Sequence, residues 1–274
     1  MATIHIETSQ VDGIPFLTMR PEQDANRPLV FYLHGFTSDK RQGLFFGYEL
    51  AKRGFTFVAL DAIMHGDRFD SHLEKVLSGE ADLVYPPDTG LDTYLLMHQV
   101  IVQTAEDVAK LRLHFLDEGI VATESIGVTG FSMGGFAAFY LATKLTSVEA
   151  IVPIAGIPAF EARWKDVILE TSTYPKWSRQ LEKVRPEIEE HNRFMQRIDP
   201  FEKLKAYHPR PVLMISGDTD TDSPKQYSLD LYRELQPIYA RQPERLQMRV
   251  HDGVGHALTR AMIAEAGDWF DRYL

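Results

Sequence analysis

Two spacings of apolar residues alternate along the chain. Short unbroken apolar runs, rich in β-branched and aromatic residues, are followed by stretches whose apolar positions fall three or four apart. The run at 29–33 is continuously apolar and suits a strand covered on both faces of the sheet; 55–60, the β-rich start of 126–135, 148–155, 211–216 and 246–250 also read as strands. Two further strands, 3–7 and 14–19, flank Val11-Asp12-Gly13 and read as an opening hairpin. The helical spacing is longest over 93–117, where Ile101, Ala105, Val108, Leu111 and Phe115 share a face and Gly119 ends the run. A shorter helix is expected after Ser38 or Asp39, with Leu44, Tyr48 and Ala51 on one face and Gly54 as its stop. Residues 227–239 and a closing stretch to Leu274 complete the helices. The segment 21–28 reads as a polar turn. The segment from Asp61 to about Asp92 reads as a long irregular loop punctuated by Tyr85-Pro86-Pro87.

Strand and helix alternating in this way predict an α/β fold: a mostly parallel central sheet with helices on both faces. The alternation fails once. Over 156–204 strand signals stop, charges rise, and Phe160, Trp164, Tyr174, Trp177 and Phe194 are interleaved among them, with Arg185-Pro186 as a break. Several short helices inserted as a cap are expected there. The organisation is then a core of 1–155 and 205–274 interrupted by a cap at 156–204.

Composition narrows the picture. At 274 residues and 44% hydrophobic content the chain can bury one full core. A net charge of −10 argues against nucleic acid or an anionic membrane as partner. The absence of cysteine excludes a disulfide framework, a thiolate metal site and a cysteine nucleophile. The amino terminus lacks the basic start and apolar core of a signal peptide, and no apolar run approaches membrane-spanning length, so cytoplasm is the default expectation. Oligomeric state is left open.

Polar residues capable of chemistry cluster where the predicted strands end, the edge at which α/β sheets bind ligands. His34-Gly35-Phe36-Thr37 follows the strand at 29–33. Asp61, His65, Gly66 and Arg68 follow the next, and read first as a hydrogen-bonded network holding the long loop. Gly130-Phe131-Ser132-Met133-Gly134-Gly135 joins a strand to an apolar helix. Gly217 leads into Asp218, Asp220, Asp222 and Pro224, and the last strand runs into His251 and then Gly255-His256. Three alternate aspartates could suggest a metal loop. An EF-hand, however, requires a glycine at its sixth position and a distal glutamate, and neither is placed correctly.

With Gly-x-Ser-x-Gly at a strand-to-helix turn and serine, acid and histidine following in that order, the chain resembles the serine esterases of the α/β-hydrolase superfamily. The Asp61–Arg68 pattern is similar to that of bacterial esterases near the dienelactone hydrolase and prolyl oligopeptidase branches. The resemblance implies an α/β-hydrolase fold with Ser132 as nucleophile, His256 as its base and Asp220 as the orienting acid. Relatives place that acid three residues after the glycine. Asp218 lies close to the strand end, Asp222 is the rival acid, and His251 the rival histidine. The backbone N–H groups of Phe36 and Met133 are implied as oxyanion donors. Independently of the resemblance, the aromatic residues of the cap read as lining a substrate pocket, with Trp164 and Trp177 as contacts, and His65 at its strand end is a further candidate contact. The expected substrate is a small soluble ester, of short acyl chain, cleaved through an acyl-enzyme without metal or organic cofactor. Alternatives are acyl transfer, a peptidase or lactonase, or a non-catalytic binder on the same fold.

Overall fold

The sheet is assembled outward from its middle. The computed structural model describes residues 3–22, 28–86 and 89–274; residues 23–27 of the expected polar turn, and Pro87, lie outside them. The opening hairpin pairs β1 (Ile4–Val11) with β2 (Ile14–Pro21), and both residues of its turn, Asp12 and Gly13, have positive φ. Then come β3 (Leu29–Leu33), β4 (Thr56–Leu60), β5 (Ile126–Phe131), β6 (Val148–Ile154), β7 (Val212–Gly217) and β8 (Leu246–His251). The spatial order is β1-β2-β4-β3-β5-β6-β7-β8. β1 and β2 run antiparallel to their neighbours, and every other pairing is parallel. The chain builds from β3 outward to β4, then returns to lay β5 on the other side of β3. That reversal opens a crevice beside the carboxyl ends of β3 and β5. β3, β4, β5 and β7 are buried at every residue, and none of them carries a charged side chain.

Helices cover both faces. On one, α3 (Leu91–Asp117), α4 (Met133–Lys144) and α8 (Lys225–Leu235) enclose the larger core together with α5 (Phe160–Ser172), α6 (Pro175–Lys183) and α7 (Arg185–Ile198). On the other, α1 (Leu44–Lys52) and α9 (Arg260–Tyr273) pack over Val30, Tyr32 and Phe57. The predicted stripe of α3 is buried throughout. No helix among the described residues is long and apolar enough to cross a membrane.

Two expectations need correction. In α1, Ala51 is buried, but Leu44 and Tyr48 are 39% and 53% exposed, and the buried face is Phe46, Gly47 and Leu50. Gly47 decides this: a Cβ there would stand 2.6 Å from Met19 Sδ and from the Phe57 ring. The helix turns its glycine to the sheet to come close, and an apolar count does not register glycine. Asp39 caps a preceding 3-10 turn, Lys40–Gly43, accepting the Arg41 N–H at 2.7 Å. In the supposedly irregular loop lies α2 (Ser71–Ser78), capped by Asp70 through the His72 N–H at 2.8 Å and closed by Gly79 at φ 75°. Its Leu73 and Val76 pack on Leu96, with Phe36 and Met64 alongside.

His98 of α3 is fully buried against Phe136 and Phe160, with Nδ1 donating to the Tyr94 carbonyl at 2.8 Å. Burial lowers its pKa from 6.5 to about 4. In the unfolded chain this histidine takes up a proton as pH falls below 6.5; in the folded chain it resists until about 4. The unfolded state binds more protons across that window, so acidification through it removes stability. Denaturant titrations from neutral pH downward are expected to show a shallower acid loss for His98→Gln than for the wild type. Parallel curves would assign the acid sensitivity elsewhere.

Candidate active site

Ser132 stands between β5 and α4 at φ 56°, ψ −120°, a conformation that side chains other than glycine rarely adopt. The surroundings enforce it. Ser132 N–H continues the sheet by donating to the Ile154 carbonyl at 3.0 Å, while its own carbonyl accepts the Phe136 N–H at 3.0 Å and starts the helix. The first turn of α4 then lies directly against β3: a Cβ on Gly134 would fall 1.8 Å from the Leu33 carbonyl oxygen. Positive φ recurs at or just beyond the ends of four neighbouring strands, with Thr37, Met64, Ser132 and Ala155 at φ 63°, 62°, 56° and 49°. Backbone strain is thus gathered along one edge, around one crevice.

Backbone contacts between the loops after β7 and β8 bring the acid to the histidine. Asp218 N–H donates to the His251 carbonyl and Thr219 N–H to that of Val254, both at 3.1 Å. Asp220 Oδ2 then accepts from His256 Nδ1 at 2.8 Å, and His256 Nε2 accepts from the Ser132 hydroxyl at 2.9 Å. The Asp220 side chain is fully buried, and its other oxygen accepts the N–H groups of Asp222 at 3.0 Å and Ser223 at 2.8 Å. A carboxylate can only accept, so it sets the proton on Nδ1 and leaves the Nε2 lone pair for the hydroxyl. The Phe131 ring, 4.9 Å away, lies against the imidazole. The rivals are elsewhere: Asp222 contributes its N–H to Asp220, and His251 pairs with Glu265 at 3.2 Å.

The turn after β3 is bound on several sides. His34 Nδ1 donates to the Gly35 carbonyl at 2.8 Å, and Nε2 accepts the Ala62 N–H at 3.0 Å. Gln42 Oε1 accepts the Gly35 N–H at 2.8 Å and the Tyr32 hydroxyl at 3.0 Å. Below it, Asp61 holds the loop after β4; of the expected network Arg68 joins it, while His65 bonds elsewhere. The Asp61 carboxylate accepts Lys40 N–H at 2.8 Å, Lys40 Nζ at 2.6 Å and Asp67 N–H at 2.9 Å. Arg68 donates to the Asp61 carbonyl at 3.2 Å and to Asp107 at 2.5 Å. His65 donates from Nδ1 to the Ile63 carbonyl at 2.7 Å, and its ring lies between those of His34 and Phe36 at 5.2 and 5.3 Å. Burial lowers its pKa.

The helical segment between β6 and β7 is pinned at its stem. Asp199 accepts the N–H groups of Glu161 and Phe201, each at 2.8 Å, and burial pushes its carboxyl up to about 6. Trp164 of α5 is completely buried; its indole N–H donates to Asn192 of α7 at 2.9 Å and its ring stacks on Tyr94 at 6.0 Å. Tyr85, from the loop before α3, meets Trp164 edge-on and its hydroxyl shares a hydrogen bond with His191 Nδ1 at 2.5 Å. Trp164, expected as a substrate contact, is therefore an internal joint between this segment and that loop. Trp177 is half-buried on α6, with Lys176 Nζ 4.0 Å above its ring. Sequence reasoning missed Lys40, Gln42, Asp107 and Asp199. Each reads as an ordinary surface residue until its partner is known.

Known proteins bear on the site as follows. The model of the prolyl oligopeptidase family matches residues 96–274. A Bacillus subtilis (strain 168) protein named "Putative esterase YitV" is 30% identical over 99% of this chain and 100% of its own length. Among solved structures, TT1662 from Thermus thermophilus is similar at TM-score 0.69 and 19% identity, over 98% of each chain. The Pyrococcus furiosus esterase Pf2001 is similar at TM-score 0.57 and 14% identity, over 99% of this chain and 93% of its own. The likeness to these structures shows the α/β-hydrolase fold.

The Lys40–Asp61 pair yields a stability prediction. Both side chains are nearly or fully enclosed, and removing one partner of a buried pair strands the other charge. Lys40→Met is expected to destabilise by about 3 kcal/mol in urea unfolding, within the usual range for such a loss. A change of a few tenths would show that water reaches Asp61.

Proposed function

The chain belongs to the prolyl oligopeptidase family, and on that premise we propose that it is a serine carboxylesterase hydrolysing small, soluble, short-acyl esters through an acyl-enzyme. Family membership supports a serine hydrolase; the ester substrate and the acyl-enzyme are this reading's own. The observation carrying it is the unbroken line of hydrogen bonds from Asp220 through His256 to Ser132. In the proposed reaction the Ser132 oxygen attacks the ester carbonyl carbon while His256 Nε2 takes the hydroxyl proton. Asp220 keeps the imidazole in its tautomer and favours the imidazolium that forms. The carbonyl π electrons move onto oxygen, which is met by the N–H groups of Phe36 and Met133. Met133 contributes the first N–H of α4, whose dipole also favours negative charge. Collapse restores the carbonyl and expels the alkoxide, which takes the proton back from His256. Water then repeats the sequence on the acyl-enzyme and releases the acid.

An esterase is preferred to a peptidase because the relative aligned over its full length carries an esterase name. The residues 156–204 serve as the cap in this proposal, with Trp177 and His65 near the substrate and Trp164 bracing the cap from within. Small esters suit a site flanked by this segment and by the loop it meets at Tyr85. An alcohol acceptor in place of water would make the same acyl-enzyme a transferase.

Ser132→Ala is expected to keep the fold and lower kcat toward p-nitrophenyl acetate by up to about 10⁶. Retention of most activity would end the proposal. Asp220→Asn should cost orders of magnitude more than Asp222→Asn, and the reverse order would move the acid. Rates across a series of acyl chains from acetyl upward are expected to fall with length. Partition of the acyl group between water and added alcohol distinguishes hydrolase from transferase.

A further inference from the structure

The peptide joining Gly35 to Phe36 carries the N–H assigned above to the developing oxyanion, and it also carries the Gly35 carbonyl. In a planar trans peptide those two groups point in opposite directions. Whatever holds the carbonyl therefore aims the N–H. His34 Nδ1 donates to that carbonyl at 2.8 Å, and Ser38 N–H donates to it at 3.1 Å. The preceding peptide is held as well, since Gly35 N–H donates to Gln42 Oε1 at 2.8 Å. That oxygen is fixed by a second donor, the Tyr32 hydroxyl at 3.0 Å, from inside β3. His34 is anchored in turn by the Ala62 N–H, donated to Nε2 at 3.0 Å from just beyond β4.

We propose that His34 and Gln42 are positioning residues that preset the Gly35–Phe36 peptide, so that the Phe36 N–H faces the reacting carbonyl oxygen before substrate arrives. This rests on the esterase reading and goes beyond it, because neither side chain touches the reacting atoms. Only the neutral Nδ1–H form of His34 satisfies a carbonyl on one side and an N–H on the other. Burial favours the same form, lowering the pKa of His34 to about 4. A flipped peptide would leave the His34 N–H enclosed without its acceptor, the costly arrangement for a hydrogen-bonding group. The next residue, Thr37, sits at φ 63°, so the turn carries strain that these bonds must hold against. The run from Ala62 N–H through His34 to the Gly35 carbonyl also polarises the peptide toward donation at Phe36.

The test compares Gln42→Leu and Gln42→Asn with wild type in kcat and KM for p-nitrophenyl acetate, inhibition by a trifluoromethyl ketone, and melting temperature. The ketone adds to Ser132 and leaves an oxyanion where the transition state has one. Losing an oxyanion donor outright costs roughly 10²–10³ in rate, and a misdirected one is expected to cost about tenfold or more in kcat. KM should stay within about threefold, and ketone affinity should fall by the same factor as kcat/KM. Gln42→Asn keeps an amide but withdraws its oxygen by one methylene, so it answers the question if the leucine variant does not fold. His34→Ala is expected to lower kcat further. Folded Gln42 variants with wild-type kcat and ketone affinity, or with a loss confined to KM or melting temperature, would overturn the inference alone. A wild type without Ser132-dependent turnover would overturn the esterase reading and this inference with it.

Discussion

The close approach of α4 to β3 at Gly134 is the constraint on which the rest of the site depends. With the Leu33 carbonyl where a Cβ would have to be, no other residue permits the helix to start so near the neighbouring strand. That proximity obliges the chain to turn sharply at Ser132, at positive φ, and so raises the hydroxyl above the sheet edge. It also brings the first N–H groups of α4 beside the turn that follows β3. One backbone contact thereby places both the proposed nucleophile and the two N–H groups proposed to receive the oxyanion. The spatial order of the sheet makes it possible, because β3 and β5 are neighbours although 92 residues lie between Leu33 and Ile126.

The remaining elements complete this arrangement and hold it. The loops after β7 and β8 are tied backbone to backbone, which carries Asp220 to His256 and His256 to Ser132. The loop after β4 is gathered on Asp61, whose carboxylate takes three donors and leaves no room for a side chain at Gly66. Buried polar groups of this kind must be fully partnered to be tolerated, and full partnering makes them rigid. Preorganised donors are effective because they need no reorientation as charge develops. The rigidity of Asp61, His34 and Gln42 is in that sense part of the site, although none of the three reaches it.

Legibility followed the range of the interaction responsible. The strands at 29–33 and 126–131, the stripe of α3, and the strand-end positions of Ser132, Asp220 and His256 are written in periodicity and in glycine-bearing turns, all local signals. Asp70 and Gly79 are local signals too, cap and stop of α2, set in a stretch whose polar, proline-bearing composition otherwise reads as loop. The buried face of α1 was misjudged for a different reason: Gly47 marks it by lacking a side chain. Trp164 shows the limit for aromatic residues. Its place among interleaved charges suggested a substrate contact, and only the positions of Asn192, Tyr94 and Tyr85 reveal it as an internal joint.

The amino-acid sequence by itself determined that strands and helices would alternate, that one strand would break into a helix at a serine flanked by glycines, and that an acid and a histidine would follow at later strand ends. These depend on φ/ψ limits and side-chain spacing within a few residues. The tertiary structure decided which of 29 lysines and arginines would neutralise Asp61, which amide would hold Gly35, and which of three aspartates would face the imidazole. Those choices are made by distance between groups far apart in the chain, and such distances exist only once the sheet has brought the strand ends together.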